Sequence, residues 1–136
     1  MISISADPSR RDRGETSAEA VIVLPVLILL VMVVLQSALY FHTAHVARAA
    51  AAEGAVAAAS YLVPVPSVTT TGAVRAAAFA SEAGGRIDGD PSADFSDGLV
   101  RVRVTLRVPS LVPFLSTRVT RDATEPKERI ITEIER

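Results

Sequence analysis

The order of polar and apolar positions divides the chain into unlike stretches. Residues 1–19 are largely polar, whereas residues 20–35 read AVIVLPVLILLVMVVL, without a charge or a hydrogen-bonding side chain. Extending the uncharged run through Gln36 and Ser37 to Phe41 gives 22 residues. At about 1.5 Å per helical residue these cover the roughly 30 Å hydrocarbon layer of a bilayer. One membrane-spanning helix is therefore predicted, with Pro25 inside it freeing a backbone carbonyl. Residues 43–62, TAHVARAAAAEGAVAAASYL, contain no proline and few β-branched side chains, so they should prolong the helix outward to about 45 residues in all.

Pro64 and Pro66 end that helix, and residues 64–72, PVPSVTTTG, read as a linker. A short helix should follow over residues 73–83, with Val74, Ala77, Ala78 and Phe79 available for packing and Gly84-Gly85 as its stop. Residues 84–98 read as a polar loop. From Leu99 to Val108 the sequence LVRVRVTLRV alternates, setting Val100, Val102, Val104, Leu106 and Val108 against Arg101, Arg103, Thr105 and Arg107. That is the signature of a strand with one buried face. A second strand over residues 116–123 can fold back on it as a hairpin that buries Leu115, Thr117 and Val119, and the short helix can cover the sheet. The closing RIITEIER reads as an extra strand or a tail. The expected class is α+β: a long N-terminal transmembrane helix, then a small outer domain of one short helix and a two- or three-stranded antiparallel sheet. The expected segments are a basic leader (1–14), the transmembrane and extended helix (15–62), a linker (63–72) and the outer domain (73–136).

Charge gives the helix a direction. Arg10, Arg11 and Arg13 precede the apolar run, and the first basic residue behind it is Arg48. Positive residues stay on the cytoplasmic side, so the N-terminus should lie inside and the outer domain outside the cytoplasmic membrane, with Tyr40 and Phe41 at the outer interface. A cleaved signal peptide is the competing reading. Its apolar region would be 7–15 residues long, however, and the cleavage candidate around Ala47-Arg48-Ala49 is poor. Overall, 14 basic and 15 acidic residues give a net charge of −1, which leaves no broad electropositive surface for nucleic acid. The absence of cysteine removes disulfides and thiolate chemistry. An aromatic content of 4% suggests an outer domain that leans on a partner for its core.

The junction reads Arg11-Asp12-Arg13-Gly14-Glu15-Thr16-Ser17-Ala18-Glu19 and passes directly into the apolar run. This segment resembles the processing site of type IV pilin-like proteins, most closely the TadE-like pilus-assembly pseudopilins. In that family a short basic leader ends in Gly, cleavage follows the Gly, and a Glu stands five places into the mature chain. Gly14 and Glu19 have this spacing, although position 20 is Ala where the family usually has an aromatic residue, and the new N-terminal residue would be the acidic Glu15. The resemblance implies Gly14 and Glu15 as the processing site, a prepilin peptidase as partner, and Glu19 as an assembly contact for the amine of a neighbouring subunit. Elementary chemistry suits these residue types. Glycine lets the backbone lie extended in a protease cleft. A carboxylate at the end of a membrane helix is costly, up to about 2.5–3.5 kcal/mol at full depth, until a cation neutralises it. Glu19 can also be read as an acid favoured by the helix dipole, with Thr16 or Ser17 as cap.

Along the extended helix Ala50, Gly54 and Ala58 recur every four residues, as do Ala47, Ala51 and Ala55. They form a smooth helix-packing face on which another helix can come close. The same spacing also arises wherever alanine simply fills a helix. Catalytic signals are lacking. His42 and His45 have no acid or thiol beside them to complete a metal site. Asp88, Asp90, Asp94 and Asp97 do not follow the calcium-loop pattern and suit turns, and the arginine face of the strand reads as a solvated surface. The expectation is a non-enzymatic TadE-like minor pilin or pseudopilin with no cofactor. Its partners would be the lipid bilayer, a prepilin peptidase and other pilin-like subunits of a Tad-type system. The alternatives are an unprocessed, membrane-anchored accessory protein that binds an envelope partner through its hairpin, and a small exported protein.

Overall fold

The computed structural model describes residues 9–111 and 115–128. The closing strand or tail expected over RIITEIER lies outside the described residues. A single helix, α1 (Ser9–Ala59), runs through Pro25 without a break. It starts inside the expected leader and ends three residues before Leu62. A 3-10 turn (Val65–Ser67) leads into α2 (Val68–Glu82). The expected linker is thus largely helical, and α2 starts five residues before Ala73. Proline at the head of the turn has the φ that a helical start requires. The threonines that follow are only mildly unfavourable in a helix, and burial of Val68 and Gly72 outweighs that cost.

The end of α2 follows from its sequence. Gly84 adopts φ 74, its N–H bonds to the Ser81 carbonyl, and the Gly85 N–H bonds to the Ala80 carbonyl. This pattern satisfies carbonyls that the helix leaves without partners. Four strands follow: β1 (Arg86–Ile87), β2 (Ser92–Ser96), β3 (Leu99–Val108) and β4 (Thr117–Pro126). All pairings are antiparallel. β3 is central, with β1 and β2 in a row along one edge and β4 along the other. The polar stretch expected to be a loop therefore supplies two strands. Ala93 and Phe95 alternate with exposed Ser92, Asp94 and Ser96, and the turn into β3 is Asp97-Gly98, both at positive φ, as a two-residue hairpin requires.

Both helices pack on one face of the sheet. Val100, Val102, Val104, Leu106, Val108 and Val119 are buried against Val68, Ala76 and Ala80 of α2 and alanines 44–59 of α1. The sheet and α2 thus lean on the C-terminal half of the chain's own long helix for their core. The buried stripe of α2 is Val68, Gly72, Ala76 and Ala80, whereas the expected Val74 is exposed and Ala77, Ala78 and Phe79 are half-buried. The smallest side chains face inward because α1 lies so close. Leu115, expected inside the hairpin, is exposed. It precedes β4 and lies beside Val33, Gln36, Ser37 and Tyr40 of α1.

Candidate processing and assembly site

Gly14 and Glu15 lie within α1, so the backbone around the expected cleavage point is helical here. Glycine weakens a helix interior by about 0.5–1 kcal/mol relative to alanine, which lowers the cost of unwinding this turn into an extended strand. Glu19 is exposed at the start of the apolar half of the helix, and among the described residues it makes no ion pair. Beyond it the large apolar side chains from Val21 to Leu35, apart from half-buried Met32, are 47–73% exposed. The helix over Glu19–Ala59 is long and apolar enough to cross a membrane. Among the described residues, the rest of the chain borders this apolar stretch at its C-terminal end, where Leu115 lies beside Val33, Gln36 and Ser37.

The helix-packing face has a different fate. Ala47, Ala50, Ala51, Gly54, Ala55 and Ala58 are all buried, and the helix that approaches them is α2. A Cβ added at Gly54 would lie 2.6 Å from the Gly72 carbonyl oxygen and 2.8 Å from the Ala76 Cβ. One at Gly72 would lie 3.3 Å from the Ala58 Cβ. Contact of this kind needs glycine on both helices. The face is therefore consumed inside the molecule.

Two fastenings tie the sheet to the two ends of the C-terminal half of α1, and neither was apparent from the sequence. At the far end, the Lys127 Nζ donates to the carbonyls of Ala59 and Ser60, and the Glu128 N–H bonds to the Ala59 carbonyl at 2.9 Å. α1 has no basic residue in its own last turn, so the only lysine of the chain supplies the cation that the negative end of the helix favours. At the near end, the Gln36 side-chain amide donates to the Pro109 carbonyl at 3.2 Å and accepts from the Leu111 N–H at 3.0 Å. The only hint of either was an amide ending the apolar run and a Pro-Lys-Glu stretch after β4.

On the solvent face of the sheet, Asp88 receives the Arg107 guanidinium at 2.8 Å and that of Arg118 as well. The Arg107 hydrogen bond, helped by the positive charges of Arg118 and Arg107, holds the Asp88 carboxyl below its ordinary range against a smaller opposing effect of burial. His42 and His45 are exposed on α1. Among the described residues no group of His, Cys, Asp or Glu side chains could hold a metal ion.

Comparison with known proteins places a match over the helix. Residues 14–56 match the family model described as TadE-like protein. The matched segment opens at Gly14 and stops before the end of α1, so it covers the helix and not the sheet. No curated protein and no solved structure matches the chain.

Proposed function

We propose, from the premise that residues 14–56 of this chain are TadE-like, that it is a minor pilin or pseudopilin of a Tad-type pilus-assembly system and not an enzyme. It inserts in the cytoplasmic membrane with the N-terminus inside and the sheet outside. A prepilin peptidase removes residues 1–14, and Glu19 pairs with the new amine of a neighbouring pilin-like subunit. The observation that carries this reading is the helix itself. The family match opens at the glycine of the processing spacing and runs into an apolar stretch whose large side chains are mostly exposed.

Each part has a physical reason. Arg10, Arg11 and Arg13 hold the cut site at the inner face of the membrane, and Gly14 eases its unwinding into a protease cleft. An anion at the mouth of the hydrocarbon layer is stabilised by a cation from another molecule. Subunit packing uses the Val21–Leu35 surface, because the alanine face beyond it is occupied by α2. The test is Glu19→Ala. Insertion and processing should persist while copurification with other pilus components is lost; unchanged copurification would leave Glu19 with a helix-end role only.

A further inference from the structure

The fastening at Gln36 brings part of the sheet domain down to the apolar half of α1. From Leu99 to Pro109, at about 3.3 Å per residue, β3 and its exit cover roughly 33 Å, and α1 from Ala59 back to Gln36 covers roughly 35 Å at about 1.5 Å per residue. Strand and helix therefore run antiparallel over matched lengths, pinned through Glu128 at one end and Gln36 at the other. Gln36 stands only about 26 Å along the helix from Glu19, within the roughly 30 Å of a hydrocarbon layer. Leu111 and Leu115, both between β3 and β4 in sequence, are 44% and 45% exposed. They sit at the level where the helix leaves the bilayer.

A second feature lies just outward of them. Arg86 pairs with Arg107 across β1 and β3, and Arg107 with Arg118 across β3 and β4. This places three guanidinium groups side by side on the open face of the sheet. Like charges in such cross-strand positions repel, and Asp88 compensates only part of the row. All three arginines are exposed. Arg107 stands two residues, roughly 7 Å, outward of Pro109, which matches the headgroup layer of about 5–7 Å beyond the hydrocarbon edge.

We infer that this end of the sheet is a second membrane contact. Leu111 and Leu115 enter the interfacial region of the leaflet on the domain side, and Arg86, Arg107 and Arg118 meet its phosphates. The inference rests on the reading that α1 spans the bilayer. Apolar anchors below a row of arginines match an acyl boundary overlaid by phosphate. With the helix they give the domain two points of attachment, which fixes its tilt on the membrane.

The chain has no tryptophan, so Leu115→Trp introduces a single indole that can be excited selectively over the two tyrosines. The full-length variant would be reconstituted in phosphatidylcholine vesicles, with and without phosphatidylglycerol, beside Leu29→Trp in the apolar helix and Leu62→Trp at the far end. The Leu115→Trp emission should be blue-shifted and quenched most by lipids brominated near the headgroup. Aqueous iodide should quench it several-fold less than Leu62→Trp, and Leu29→Trp should respond most to deep bromines. Iodide quenching equal to that of Leu62→Trp, with Leu29→Trp still deep, would overturn the inference alone. Protection from iodide without bromine quenching would place position 115 against another protein and also overturn it. Leu29→Trp open to iodide would remove the spanning helix, and the inference with it. Adding Arg86→Gln and Arg118→Gln should make the Leu115→Trp site shallower in the anionic vesicles; no change there would remove the arginine part.

Discussion

Asp88 joins two positions that are far apart in sequence, and the charge it carries sets a pH dependence. Its carboxylate lies between Arg107 and Arg118 and is held below the usual range. A depressed folded-state value contributes stability that is fully present above the unfolded value of about 3.9 and is lost as pH falls through the folded value. Asp88→Asn should therefore lower the unfolding temperature of the detergent-solubilised protein at pH 7. The gap from wild type should close as the solution is taken below pH 4; a gap that persists unchanged at low pH would mean that the charge is not the cause. Sequence alone placed Asp88 among turn-forming acids, because its partners are fixed only by strand register. Gln36 was equally silent, since what it binds is backbone more than seventy residues away.

Elements with a strong period were legible, and those defined by a neighbour were not. β3 alternates over ten residues and is found with the expected face buried, and the glycine stop of α2 lies where glycine spacing puts it. β1 and β2 were missed because they are short and polar, and they exist as strands by pairing with β3. The alanine face of α1 was legible as a packing surface, but its partner was not, because four-residue spacing does not say which helix arrives. Gly54→Ala tests that contact. It gains about 0.8–1 kcal/mol of helix propensity, whereas over-packing typically costs about 1–3 kcal/mol. A net loss of up to about 2 kcal/mol is expected in denaturant unfolding, since the new methyl meets the Gly72 carbonyl and Ala76. A variant more stable than wild type would show that the two helices separate freely.

For the whole molecule, one long helix is both the scaffold of the domain and long and apolar enough to cross a membrane. Its C-terminal half forms part of the core that the sheet and α2 complete, and its apolar N-terminal stretch is exposed, the surface that the proposed function gives to lipid and neighbouring subunits. Class and order of elements were readable because a charge-free run, a proline stop and an alternating strand are local signals. The way the sheet docks along the helix was not, since it depends on bonds at Gln36 and Lys127 between distant segments. The central claim is that the helix enters the membrane and is trimmed at its inner end. Intact mass spectrometry of the protein extracted from membranes of cells that hold the prepilin peptidase tests it most directly. The account predicts a single species lacking residues 1–14 and beginning at Glu15. A species that retains the leader, or one cut near Ala47 and Ala49, would contradict it.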